Sequence, residues 1–378
     1  MLGKWIGRLL IGSALAVAAA SVAAADPLPA ATAKILKDLR LSPSLVAGVD
    51  RELAVPKAWI DGARQEGAVR ILGSWDVGQF NTMVAPFKER YPFVKVEYSR
   101  GDFNARALRP LIALQEGRYL TDVLTGFGGS TYHYQKAGAL EDLRPLPGFK
   151  NPLPGTGDPD GTWVGSRLRY WCMSYNTNLV KKEELPRTWE DILTDPRWRN
   201  GNIGVSNRPQ LWLLMLWGEY GEKWTVDYID KFFNVVKPQI RKEGQNALQS
   251  LVIAGEFHLA IPAADYRTKQ YADRGAPISW HCPNPVPLAV SQIGILKGNP
   301  HPNAARVWVN WFLSKEGQIA QYRADLATPL HRDLQTPDFI PFPDEIANHT
   351  IASREPESED VERLNEIWTS YWTKAGGK

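Results

Sequence analysis

MSYNTNLVKKEELPRTWEDIL (Met173 to Leu193) and SQIGILKGNPHPNAARVWVNWFLSKEGQ (Ser291 to Gln318) decide how this chain is read. The first begins inside an extended run, Trp163 to Asn176, and continues into a helix expected over Thr188 to Leu193. The second holds a strand, Gln292 to Leu296, followed by a helix, Asn303 to Leu313. Between them, Pro277 to Val290 carries Pro277, Pro283, Pro285 and Pro287 and reads as the chain's way back from a second body.

Outward from these stretches the pattern alternates between helix and strand. The helix Lys57 to Gly67 precedes the strand Ala68 to Gly73, and the helix Phe80 to Tyr91 precedes the strictly alternating strand Val94 to Tyr98. A helix over Asn104 to Glu116 and a short buried strand, Thr121 to Thr125, complete the first body, and a Pro/Gly-crowded loop, residues 144–161, closes it. The second body holds the strand Asn202 to Val205, helices Gln210 to Tyr220 and Val226 to Val235, the helix Ala247 to Ile253 and the strand His258 to Ile261. Such alternation implies βα units around mostly parallel sheets. The expected layout is an arm (26–55), a first lobe (56–167 with 287–330), a second lobe (168–286) and a helical tail (331–378).

The amino terminus reads as an export signal. Lys4 and Arg8 precede an Ala-rich apolar run from Leu9 to Val22, and Ala23-Ala24-Ala25 offers a cleavage site. The run is shorter than the roughly 20 residues a spanning helix needs. Cleavage near Ala25 would leave 42 of the 44 Lys and Arg against 41 acids. Near-neutral charge without a basic cluster gives no reason to expect nucleic acid as a partner. The 15 tryptophans suit a large buried core or an aromatic-lined pocket. Cys172 and Cys282 flank the two crossings, so a disulfide and two separate buried thiols both fit.

In open α/β sheets, ligands gather beyond the carboxyl ends of the strands. That rule selects Ser74, Trp75 and Asp76, then Arg100, then Gly128, Gly129 and Ser130 in the first lobe. In the second it selects Ser206, Asn207 and Arg208, then Gln245 and Asn246, then Asp265 and Tyr266. Arg167 and Arg169 lie two apart on the crossing strand and share a face, which is expected to line the cleft. Each has a structural alternative: Asp76, Ser130, Ser206 and Asn246 suit helix caps, Trp75 the core and Arg100 a rim ion pair. Tyr132-His133-Tyr134 cannot converge on one ion from adjacent helical positions, so partial burial is expected there.

Tyr175-Asn176-Thr177-Asn178-Leu179-Val180, Pro186-Arg187-Thr188-Trp189-Glu190-Asp191, Ala254-Gly255-Glu256 and Ser314-Lys315-Glu316-Gly317-Gln318 closely resemble the solute-binding proteins of bacterial ABC importers. The likeness is to the branch with ferric-ion, polyamine, phosphonate and maltodextrin binders, and it covers Trp59 to Pro329. It implies an α/β, two-lobed periplasmic-binding-protein fold of type II, each lobe a mostly parallel sheet flanked by helices and joined by crossing strands. It further implies a periplasmic monomer that closes on a small solute and delivers it to an inner-membrane permease, with no cofactor, metal or catalytic group. Ferric binders of this kind carry adjacent tyrosines after the strand that follows Ala-Gly-Glu. Here Leu259-Ala260-Ile261-Pro262-Ala263-Ala264-Asp265-Tyr266 has one, so an organic anion is expected and ferric iron is the alternative. An exported hydrolase is the rival from another class, but Gly126-Phe127-Gly128-Gly129-Ser130 does not form a G-x-S-x-G elbow.

Overall fold

The computed structural model describes residues 28–127, 130–354 and 359–377, and of Phe103 and Asn104 the backbone alone. The expected signal segment and the candidate contacts Gly128 and Gly129 lie outside the described residues.

The first helix of the regular pattern, Lys57–Glu66, stops at Gly67, whose φ of 69° is open to glycine without a Cβ clash. Among the described residues ten strands follow in chain order: β1 (Ala68–Gly73), β2 (Lys95–Arg100), β3 (Val123–Thr125), β4 (Val164–Asn176), β5 (Ile203–Ser206), β6 (Gln239–Arg241), β7 (Leu259–Ala264), β8 (Ile278–His281), β9 (Val286–Ile295) and β10 (Ile351–Ser353). Local chemistry moves several expected boundaries. The helix expected from Phe80 starts at Val77, because Asp76 and Gln79 form a reciprocal capping box. The helix expected over Asn104 to Glu116 breaks into Phe103–Ala107 and Arg109–Gln115 ahead of Pro110. The helix expected over Thr188 to Leu193 shrinks to Asp191–Thr194, since the Asp191 carboxylate accepts the Arg187 and Thr188 N–H groups. The two helices expected over Gln210 to Val235 form one element, Leu213–Lys231, kinked at Gly221, and a π-helical turn, Phe232–Val236.

The strands run in the order β2-β1-β3-β9-β4-β7-β5-β6, with β8 against β4 and β10 against β9. β1, β2 and β3 are parallel, as are β5, β6 and β7. Between these two parallel sets, β4 pairs antiparallel with β9 from Val164 to Tyr170 and with β7 and β8 from Trp171 to Asn176. One 13-residue strand therefore belongs to both halves of the molecule and is a physical crossing. Met173 pairs with His281, which places Cys172 opposite Cys282, and the two form a disulfide with their Cα atoms 5.2 Å apart.

Each half has its own core. Trp75, Phe80, Trp308, Trp311 and Phe312 centre the first, and Trp189, Trp198, Trp212, Trp280 and Trp368 the second. Tryptophan is thus mostly packing material here. The arm helix Ala30–Asp38 buries Ile35 and Leu36 in the first core, and Thr32 donates to Glu316 at 2.6 Å. The tail helix Asp360–Lys374 buries Val361, Leu364, Trp368 and Trp372 in the second core, so its docking surface is the half that contains β5 to β8.

Candidate functional site

A cavity of about 530 Å³ lies where the two halves face each other across β4 and β9. That size suits a small organic ligand. Ser74 and Arg100 reach it from the ends of β1 and β2, and Arg169 and Trp171 from β4. Arg208 reaches it from beyond β5, Tyr266 and Arg267 from the helix Asp265–Ala272, and Gln245 and Asn246 from the first turn of the helix Gln245–Ala254. No side chain caps that last helix at Gly244, so its amino-terminal N–H groups carry a partial positive charge at the cavity wall.

Among the described residues the lining contains six arginines, Arg100, Arg106, Arg169, Arg208, Arg267 and Arg354, and one acid, Asp102. Two of the arginines are set apart: Arg106 is buried, and Arg169 is half-buried with two of its guanidinium nitrogens out of reach of solvent. Arg106 donates to the carbonyl oxygens of Gly101, Thr125 and Gly126, so its partners are dipoles and not carboxylates. Burial first, then the nearby Arg167 charge, pulls its pKa down to about 10. Arg169 keeps Nε and Nη2 without a hydrogen-bond partner among the described residues. Burial, then Arg167, lowers its pKa to about 9. Both remain charged near neutral pH, and neither forms an ion pair with a carboxylate among the described residues. A bound anion would supply the counter-charge. Gly126 makes the Arg106 seat accessible: a Cβ there would lie 2.7 Å from Arg106 Nη1, and its φ is +67°.

Seven expected contacts line this cavity: Ser74, Arg100, Arg169, Arg208, Gln245, Asn246 and Tyr266. Seven described candidates do not, and each has a physical reason. Trp75 is 1% exposed in the first core. Arg167 shares the face of Arg169, as expected, but is held by Asp325 and donates to Ser74 Oγ at 2.9 Å. Asp76 caps its helix and pairs with Arg100 at 3.1 Å and Arg267 at 3.6 Å. Ser130 Oγ donates to the carbonyls of Phe127 and Ala107. Ser206 is buried at the end of β5, and Asn207 is exposed, its carbonyl accepting from Arg208. Asp265 is fully buried, accepts the Tyr170 N–H at 3.3 Å, and has its pKa raised by burial to about 7.

Arg106, Arg267, Trp171 and Arg354 were not among the sequence candidates. Arg106 and Arg267 lie one turn inside helices whose starting loops were selected, and Trp171 follows Arg169 by two on β4. Those three were within reach of the same rule. Arg354 was not, because nothing local ties the tail to the cleft. Tyr134 is buried, and Tyr132 and His133 point to Glu359 and Glu362, so the aromatic cluster does not converge. The described residues hold one group of possible metal ligands, Glu52, His331 and Asp333. It lies away from the cavity, with the Lys315 ammonium 3.5 and 3.6 Å from its carboxylates.

Two α/β halves joined by crossing strands, with a cation-lined cavity between them, define a binding protein for small solutes. Residues 75–319 match the family model of the bacterial extracellular solute-binding proteins, and the chain belongs to that family. Its fold is similar to the substrate-binding protein of an ABC transporter from Agrobacterium tumefaciens (TM-score 0.67, 15% identity, 82% of this chain and 96% of that one). It is also similar to iron-bound HitA from Pseudomonas aeruginosa (TM-score 0.65, 19% identity, 82% and 99%). A third is AfuA from Actinobacillus pleuropneumoniae, with exogenous fructose-6-phosphate bound (TM-score 0.63, 18% identity, 82% and 99%).

Proposed function

We propose that this protein captures a small organic anion between its halves and delivers it, as a monomer, to the inner-membrane permease of an ABC importer. The observation that carries the reading is the pair Arg106 and Arg169, the first buried and the second half-buried at the cavity, without a carboxylate partner among the described residues. A phosphate or carboxylate group would form charge-assisted bonds with such a pair, and exclusion of water would strengthen them. Closure of the halves about β4 and β9 gives the permease a shape to read. The halves are assigned as residues 56–167 with 287–330 and residues 168–286. Export through a leader cleaved near Ala25 would place the protein in the periplasm.

Among the lining residues Tyr266 is the one tyrosine, and the cations around it repel a bare ferric ion. That arrangement favours an anion over the iron bound in HitA. Among the described residues the lining holds no histidine, serine–histidine pair or facing carboxylates, which supports capture over catalysis. Native mass spectrometry of freshly purified protein and a thermal-shift series test the reading. Sugar phosphates or polycarboxylates are expected to raise the melting temperature. Stabilisation by ferric ion with no response to any organic anion would reverse the assignment.

A further inference from the structure

Arg354 enters the cavity from outside the family match, which ends at residue 319. Two anchors set its position. On its amino-terminal side, β10 pairs in parallel with the first residues of crossing strand β9, Ile351 with Val286 and Ser353 with Leu288. On its carboxyl-terminal side, the tail helix is buried in the second core through Leu364, Trp368 and Trp372. Between these anchors the guanidinium of Arg354 is held by Asp360 through Nη2, while Nη1 is buried without a hydrogen-bond partner among the described residues. Its stem lies along Gly218, where an added Cβ would sit 3.2 Å from Arg354 Cδ. The side chain is thus pre-positioned, which lowers the entropy lost when it binds.

The cavity has two distinct cationic regions. Arg106 and Arg169 both lie under the charges of Arg167 and Tyr266. Arg354 follows Ser353, which pairs with Leu288 on one side of β9, while Arg169 pairs with Ala289 from the other side, so strand β9 lies between Arg354 and Arg169. Arg354 shares the cavity lining with Leu214, Met215 and Val361 of the second core. An anion with one charged end would satisfy Arg106 and Arg169 and leave Arg354 Nη1 unsatisfied, at the usual penalty for a buried donor.

We propose that Arg354, delivered by the tail, is a specificity-determining contact that selects solutes carrying a second anionic group. The inference rests on the reading of the cavity as an anion site. Calorimetry with inorganic phosphate, fructose 6-phosphate and fructose 1,6-bisphosphate tests it on the full chain. Wild type is expected to favour the bisphosphate. Arg354→Gln is expected to weaken the bisphosphate by about tenfold to hundredfold and to leave inorganic phosphate nearly unchanged. Arg169→Gln is expected to weaken all three. Equal weakening of every ligand in Arg354→Gln would overturn the proposal, because it would report an undocked tail and not a lost contact. A bisphosphate that binds wild type and Arg354→Gln alike would overturn it as well, while leaving the anion reading intact. If wild type binds none of the three, this inference fails, and the anion reading fails with it where the polycarboxylates of the thermal-shift series also leave the melting temperature unchanged.

Discussion

The Arg167 guanidinium lies 4.4 Å from the centre of the Trp75 ring, and neither residue lines the cavity. Two side chains that read as ligand contacts thus serve each other. Arg167 completes its charge balance on Asp325, and both partners are almost fully buried. The cation is matched in charge by a carboxylate and covered by an aromatic face, while Arg167 Nε and Trp75 Nε1 keep no hydrogen-bond partner among the described residues.

Asp325→Asn breaks that match. It leaves Arg167 buried without its counter-charge, an expected loss of about 3–5 kcal/mol in urea unfolding. Anion binding by calorimetry is expected to stay close to wild type. A stable variant with abolished binding would place Asp325 in the site instead.

Arg169 predicts the opposite balance. Arg169→Gln removes a half-buried cation that has no carboxylate partner among the described residues, so the empty protein is expected to melt higher. Affinity for an organic anion is expected to fall by about tenfold to hundredfold. A lower melting temperature together with retained affinity would count against the site.

Gly126 controls the other cation of the pair. Gly126→Ala would set a methyl group 2.7 Å from Arg106 Nη1 at a φ of +67°. Arg106 must then leave its carbonyl seat, and anion affinity is expected to drop nearly as far as in Arg106→Gln. Near-wild-type calorimetry in Gly126→Ala would show that the seat is not needed.

Asp265 gives a pH signature. Burial raises its pKa from 3.8 to about 7, against the opposing N–H groups of Tyr266 and Tyr170. The folded state therefore holds a proton that the unfolded chain has released above about pH 4. This contribution to stability is full below that value and is lost as pH rises through 7. Relative to Asp265→Asn, wild type is expected to lose stability steadily across that window, read from urea midpoints. A constant difference between the two proteins would contradict the assigned shift.

Much of the fold was legible in the chain itself. β1 lies where its pattern puts it, from Ala68 to Gly73, and the crossing strand β4 differs from its expected span by one residue. Those elements depend on local alternation and on glycine stops. The disulfide was open in the sequence because Cys172 and Cys282 are 110 residues apart, and strand register, Met173 against His281, decided it. Candidate contacts were half legible for a related reason. Strand ends could be located, but whether a polar side chain there meets solute or a buried partner depends on what packs behind it.

Sequence alone determined the α/β alternation, the two crossings and the family signatures, since periodicity, glycine and proline act within a few residues of where they stand. Tertiary structure alone decided that Arg167 is matched by Asp325, that Arg106 and Arg169 pair with no carboxylate among the described residues, and that Arg354 arrives from the tail. The reason is electrostatic: the worth of a buried charge is set by the groups that fold around it, and those come from far along the chain.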